Sequence, residues 1–121
     1  MNDFLSLSFP RKKDYIPVAR LTTSYLASLK NLDLDTIEDL RMIVTEACNL
    51  SYFLQEDQGD ISLKISLGKE EITFAISCPY PEKIKEDDGS LMSESIIRSL
   101  ADDLDYRDST MLIFKSIYTD Q

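Results

Sequence analysis

Apolar and polar residues alternate along three stretches of the chain, 5–9, 61–67 and 72–76, and this period of two predicts strands with one buried face, the first of which covers 4–9. Pro10 ends the first strand, and Gly68-Lys69 is a tight turn that joins the other two as a hairpin. Residues 104–106 are predicted to form a short strand and residues 111–117 a buried one.

Three other stretches repeat their apolar residues at helical spacing. The first predicted helix covers about 15–30, with Asp14 as an N-cap. The second begins at an Asp35 N-cap, has Glu38 three residues later as in a capping box, and ends near position 55. The third covers about 91–102. The stripe expected to face the core from the first helix is Val18, Leu21, Tyr25, Leu29 and Leu32.

The predicted element order, βααββαββ, indicates an α+β fold, a two-layer sandwich of one mostly antiparallel sheet with three helices on a single face. We expect a single domain over residues 1–121. Its core is expected to include Leu21, Leu40, Val44, Ile65, Phe74, Ile97 and Ile113.

Charge and composition exclude several classes of function. The 121 residues include 13 basic and 22 acidic side chains, a net charge of −9, and the one basic run is Arg11, Lys12 and Lys13, so we expect no nucleic-acid partner. No apolar run approaches membrane-spanning length and no export signal is visible, so we expect no membrane partner and a cytoplasmic location. Without histidine, and with only Cys48 and Cys78 as thiols, no metal site is expected.

Two segments, YIPVARLT at 15–22 and IEDLRMIVTEAC at 37–48, resemble the bacterial anti-sigma-factor serine-protein kinases of the histidine-kinase-like (GHKL) ATPase superfamily. The resemblance implies the histidine-kinase-like ATPase fold and a role in transcription regulation. It also implies ATP and Mg²⁺ as cofactors, and a sigma factor or an anti-sigma antagonist as the partner.

The family's motif E-A-x-x-N-A supplies a base and an Mg²⁺-binding asparagine. Glu46 matches the base, but Leu50 holds the asparagine position and the asparagine is Asn49. At about 100° per residue, Asn49 projects about 100° away from the required direction. The family's adenine-binding threonine matches Thr110.

The other nucleotide motifs are degenerate. Cys78 stands where the family has its adenine-reading Asp, prolines follow it, one glycine (Gly89) remains before the third helix, and the lid region is short. We expect Tyr52, Phe53 or side chains of the turn from Pro79 to Pro81 to fill the vacated pocket. The protein is therefore expected to have little or no kinase activity and to need no cofactor; the alternative is an active kinase with a rearranged site, which would use ATP and Mg²⁺.

Several residues keep two interpretations. Glu46 is either a remnant of the base or a helix-surface carboxylate, and Asn49 is either a ligand or a polar residue at a helix edge. Arg20 matches an arginine on the family's partner surface, or is an ordinary exposed arginine. With Arg11, Lys12 and Lys13 it forms the predicted partner-binding patch. A third hypothesis is a structural subunit, either a homodimer or a dimer with an intact paralogue.

Overall fold

The computed structural model describes residues 3–54, 59–77 and 89–117. In this part of the chain the elements follow the predicted order, which confirms the α+β sandwich. A short 3₁₀ turn, Lys13–Tyr15, precedes the first helix. The elements are β1 (Asp3–Pro10), α1 (Ile16–Leu29), α2 (Leu34–Leu54), β2 (Asp60–Leu67), β3 (Glu71–Ser77), α3 (Ser90–Leu100), β4 (Asp103–Arg107) and β5 (Thr110–Ser116).

The strands form one antiparallel sheet in the order β1-β2-β3-β5-β4. Ile65 of β2 lies opposite Phe74 of β3, which lies opposite Ile113 of β5, so the apolar positions of three neighbouring strands share one face. That face is covered by helices, with α2 in the centre between α1 and α3. The buried row fixes the register of the sheet, because a slip of one residue would expose it.

Six of the seven predicted core residues are buried: Leu40, Val44, Ile65, Phe74, Ile97 and Ile113. The prediction for Leu21 was wrong, because its side chain is 69% exposed. The helix packs instead through a face with several small side chains, which lets α1 approach α2 closely. That face consists of Ile16, Ala19, Thr23, Leu26 and Ala27. The predicted stripe of α1 therefore points away from the core, apart from Leu32 beyond the helix end.

Two predicted helix caps were also wrong. Asp33, not Asp35, caps α2: its carboxylate accepts a hydrogen bond of 2.8 Å from the backbone N–H of Thr36. Hydrogen bonding to the Thr36 side chain, and then to its backbone N–H, holds the pKa of Asp33 below its ordinary value. Glu38 pairs with Arg41 instead of completing a capping box. Asp14 lies in the 3₁₀ turn, and α1 begins without a side-chain cap.

Candidate functional site

Glu46 joins α2 to α3. One of its carboxylate oxygens, Oε1, accepts a hydrogen bond from Asn49 Nδ2 at 3.0 Å and another from Ser93 Oγ at 3.1 Å. Asn49 reaches it because residues three apart share a helix face, and Ser93 reaches it from α3, where it is buried. The structure thus brings two predicted site residues together and adds Ser93, which only the docking of the two helices could reveal.

The bond from Ser93 gives Glu46 a role in holding α2 and α3 together, and the bond from Asn49, within α2, orients the same carboxylate. The hydrogen bond uses the amide nitrogen of Asn49, whereas an Mg²⁺ ligand would offer the amide oxygen, which this bond does not involve. A carboxylate that accepts two hydrogen bonds is oriented, as a catalytic base also must be. Both interpretations of Glu46 therefore remain predictions. Among the described residues there is no group of three or more His, Cys, Asp or Glu side chains that could hold a metal.

Phe53 covers the start of α3. A Cβ atom built on Gly89 would lie 3.2 Å from Phe53 Cε2 and 3.3 Å from Cζ, so the ring rests against the backbone of Gly89. Gly89 has a φ of 89° and stands at the N-cap of α3, where a side chain would be strained. Free backbone N–H groups at such a helix start are suited to bind phosphate. Here the Phe53 ring packs beside Gly89, the residue that precedes these groups.

Tyr52 and Lys13 complete the cluster around Phe53. The Tyr52 and Phe53 rings meet edge to face, with centroids 5.7 Å apart and an interplanar angle of 80°. The ammonium of Lys13 lies 5.4 Å from the Tyr52 ring centroid and 5.6 Å from that of Phe53. Lys13 therefore lies beside the α2–α3 site. The prolines that were also expected to fill this site, at positions 79 and 81, fall outside the described residues.

The predicted basic patch is divided by the structure. Arg11 is half-buried, and its guanidinium donates hydrogen bonds to the carbonyl oxygen of Ser51 at 2.8 Å, to Ser51 Oγ at 3.0 Å and to the carbonyl oxygen of Asp60 at 3.1 Å. Ser51 Oγ in turn donates to the carbonyl of Ser77 at 2.6 Å. Arg11 thus joins β1, α2 and β2. Lys12 is exposed.

Arg20 lies in a separate groove between α1 and α2. Its Nε donates to Thr45 Oγ1 at 3.0 Å, which fixes a half-buried guanidinium against α2. The groove has a volume of about 240 Å³ and is lined by Arg20, Glu38, Arg41, Met42 and Thr45. Arg41 Nη1 pairs with Glu38 at 2.7 Å. Its Nε is buried and has no hydrogen-bond partner among the described residues.

Thr110 lies on the other side of the sheet from Glu46. Its neighbour Met111 faces the helices, and alternation along β5 turns Thr110 outward. There it lines a shallow cavity of about 240 Å³ together with Ser6, Ser62, Leu63, Lys64, Ala75 and Ser77. The structure therefore does not bring Thr110 together with Glu46 and Asn49.

Cys48 is buried in the core face of α2. Desolvation raises the pKa of its thiol to about 12, and the positive charge of Arg20 opposes the shift only in part. A thiol with this pKa is a poor nucleophile near neutral pH. Cys78 falls outside the described residues.

No family model matches the chain. It is 28% identical over 79 residues to the serine-protein kinase RsbW of Bacillus licheniformis, a match that covers 62% of this chain and 49% of the relative. The corresponding protein of Listeria monocytogenes is 31% identical over 80 residues, covering 64% of this chain and 51% of the relative. That of Oceanobacillus iheyensis is 28% identical over 105 residues, covering 81% and 66%.

These matches confirm the resemblance to serine-protein kinases that the sequence motifs predicted. The chain spans about half the length of the first two of these relatives. Within the described residues, no helix combines the length and the apolar character needed to cross a bilayer.

Proposed function

We propose that the protein is a degenerate member of the serine-protein kinase family, a cytoplasmic regulator that binds a sigma factor or an anti-sigma antagonist with little or no ATP-dependent kinase activity. In this proposal, residues 1–121 form a single histidine-kinase-like ATPase domain with a shortened lid region. The observation that carries it is the packing of Phe53 against Gly89, at the helix start where a nucleotide phosphate would bind.

A nucleotide would have to move Phe53 before its phosphates could reach α3. Phe53 is half-buried. Exposing it therefore costs about half of the roughly 1.5–3 kcal/mol of a fully buried side chain, which corresponds to about a 4- to 12-fold loss of affinity. The offset of Asn49 from the family's Mg²⁺-binding position adds to this loss, as does the outward position of Thr110. These effects together would weaken a micromolar site toward the millimolar range.

A thermal-shift experiment on the parent chain and on Phe53→Ala tests this account. With about 1 mM Mg-ATP, a ligand bound at about 1 μM would add about 4 kcal/mol of stability, whereas a millimolar ligand would add less than 1 kcal/mol. We expect the small shift for the parent and a larger shift for Phe53→Ala, because the variant frees the start of α3. A large shift in the parent, unchanged by the substitution, would contradict the proposal. Tyr52→Ala is the control for loss of an adjacent ring.

The second candidate function is an active serine-protein kinase with a rearranged site. The relatives are serine-protein kinases, which favours this candidate, and so does the oriented carboxylate of Glu46 at the α2–α3 interface. Phosphoryl transfer from radiolabelled Mg-ATP to a partner serine would support this candidate if Glu46→Gln abolished the transfer. Transfer that Glu46→Gln left unchanged would point to a contaminating kinase.

The partner-binding residues proposed from the sequence were Arg11, Lys12, Lys13 and Arg20. Lys12 and Lys13 are exposed and Arg20 is half-exposed, whereas the hydrogen bonds of the half-buried Arg11 give that residue a structural role. We therefore propose that the exposed side of α1, with Arg20 at its border, is the partner-binding surface. The structural hypothesis, a homodimer or a dimer with an intact paralogue, is distinguished by measuring the mass of the purified protein in solution.

A further inference from the structure

The connection between β1 and α1 contacts the C-terminal end of α2. Residues 11–13 of this connection form a strap that meets the last turn of α2 at two points. At the first, Arg11 donates hydrogen bonds to the carbonyl oxygen of Ser51 at 2.8 Å and to its Oγ at 3.0 Å. At the second, the ammonium of Lys13 lies 5.6 Å from the centroid of the Phe53 ring. The strap therefore touches both the backbone and the aromatic side chain at this helix end.

The strap supplies positive charge that α2 lacks at its own end. The last four carbonyl groups of a helix have no intrahelical donors, and they form the negative end of the helix dipole. In α2 these four residues are SYFL, none of which is basic. Arg11 donates to the first of these carbonyl groups, and Lys13 brings a second cation to the same turn. The strap thus stabilises the turn that carries Tyr52 and Phe53.

The backbone around Lys13 is itself fixed by hydrogen bonds. The N–H of Lys12 donates to the carbonyl of Pro10 at 2.7 Å, and the N–H of Tyr15 donates to the carbonyl of Lys12 at 3.1 Å. On the strand side, Pro10 ends β1 opposite Asp60 of β2. The ammonium of Lys13 is therefore delivered to the aromatic rings by a turn that is anchored to the sheet.

Phe53 carries this constraint to α3. A Cβ atom built on Gly89 would lie 3.2 Å from Phe53 Cε2, so the ring occupies the space that a side chain would need. Gly89 is the N-cap of α3, and its carbonyl accepts a hydrogen bond of 3.0 Å from the N–H of Ser93. The ring thus packs against the residue from which α3 begins.

We infer that Lys13 is a latch, a positioning residue that holds Phe53 against Gly89 and so keeps the start of α3 closed. Its cation lies over the rings on one side while Phe53 meets α3 on the other. A cation–π contact at an exposed position changes an equilibrium by about two- to fivefold. The inference rests on the proposed function, because closure matters where phosphates would otherwise approach α3. By reciprocity, a ligand that displaces Phe53 changes the strap by the same factor.

Nuclear magnetic resonance of the whole chain tests the latch without nucleotide. The α-proton shift of Gly89 senses the ring current of Phe53, and the amide exchange rate of Ser93 reports opening of its hydrogen bond to Gly89. We expect Lys13→Met to move the Gly89 shift toward its value in Phe53→Leu and to speed Ser93 exchange about two- to fivefold. Lys13→Arg retains a cation and should keep both parent values.

A double-mutant cycle and a neighbouring lysine separate the latch from a general loss of stability. In the Phe53→Leu background, Lys13→Met should change neither probe further. Lys12→Met removes the same charge from an exposed neighbour and should leave both probes at their parent values. Unchanged probes in Lys13→Met, an equal effect in the Phe53→Leu background or in Lys12→Met, or equally faster exchange throughout β2 and β3 would each overturn the inference.

Titration of the same samples with Mg-ATP distinguishes failure of the latch from failure of the proposed function. Apparent affinity for a site that is open part of the time scales with the open fraction. Lys13→Met should therefore raise the apparent affinity for ATP by the same factor as it raises Ser93 exchange. Micromolar binding by the parent, together with the expected resonance changes, would contradict the proposed function and still support the contact of Lys13 with Phe53. Absence of the resonance changes would overturn the latch at any ATP affinity.

Discussion

Two substitutions of the same kind distinguish the observed face of α1 from the one that the sequence pattern predicts. Leu40→Asp places a carboxylate at a position that is fully buried in α2, whereas Leu21→Asp places it at one that is 69% exposed. A reading of the apolar pattern alone puts both leucines in the core and predicts that both variants unfold. The structure predicts opposite outcomes.

The expected magnitudes are far apart. Removing a buried leucine side chain costs about 2–5 kcal/mol, and an unpaired buried carboxylate adds several kcal/mol more. The total for Leu40→Asp approaches the whole stability of a typical domain, about 5–15 kcal/mol. For Leu21→Asp the main cost is the lower helix propensity of Asp, about 0.5 kcal/mol.

Urea unfolding followed by circular dichroism measures the difference. With a slope of about 1.5 kcal/mol per molar urea, Leu21→Asp should shift the midpoint by about 0.3 M. Leu40→Asp should have no folded baseline, and Leu40→Ala provides an intermediate loss that keeps the transition measurable. If Leu21→Asp were unfolded, or lost as much stability as Leu40→Ala, the assigned orientation of α1 would be wrong.

Three further predictions concern single contacts. Arg11→Met should lower the free energy of unfolding by about 1–3 kcal/mol, because the acceptor oxygens of Ser51 and Asp60 lose their donor. The control Lys12→Met should change it by less than about 0.5 kcal/mol, and equal effects of the two variants in urea titrations would contradict the role of Arg11 in joining β1, α2 and β2. Because the pKa of Asp33 is lowered in the folded protein, its carboxylate stabilises the fold at pH values above its unfolded-state pKa of about 3.9, and this stabilisation is lost as pH falls through the folded-state pKa. Asp33→Asn should therefore flatten the acid side of the plot of unfolding free energy against pH, and an unchanged plot would exclude this contribution. In a Cys78→Ser variant, Cys48 should react with a thiol reagent at pH 8 only after unfolding, since its pKa is raised to about 12; rapid labelling of the folded protein would refute its burial.

The strands and their buried faces could be predicted because each strand has a single apolar row, which must face the core. In β2 and β3 every second residue is apolar, and the polar residues between them cannot share the same side of a pleated sheet. Helix α1 is different, since apolar or small residues occur at helical spacing on two sides. The larger side chains misled the prediction, and the close approach to α2 selected the row that contains Ala19, Thr23 and Ala27.

The candidate site was predictable only where its contacts are local. Asn49 contacts Glu46 within one helix turn, so the sequence spacing already placed these two residues on neighbouring positions. Ser93 comes from α3 and Gly89 from its N-cap, and no local pattern reveals that they meet Glu46 and Phe53. Similarly, Arg11 was grouped with exposed lysines, because a run of charged residues does not show which side chain will donate hydrogen bonds to backbone carbonyl oxygens in the fold.

Calorimetric titration of the parent chain with Mg-ATP tests the central claim most directly, with the serine-protein kinase of Listeria monocytogenes measured in parallel. The account predicts no saturable heat for the parent at ATP concentrations up to about 1 mM, because Phe53 packs against Gly89 at the start of α3 and Asn49 is offset from the family's Mg²⁺-binding position. Stoichiometric binding at micromolar ATP, lost in an Asn49→Ala variant that remains folded, would contradict it and establish a working nucleotide site.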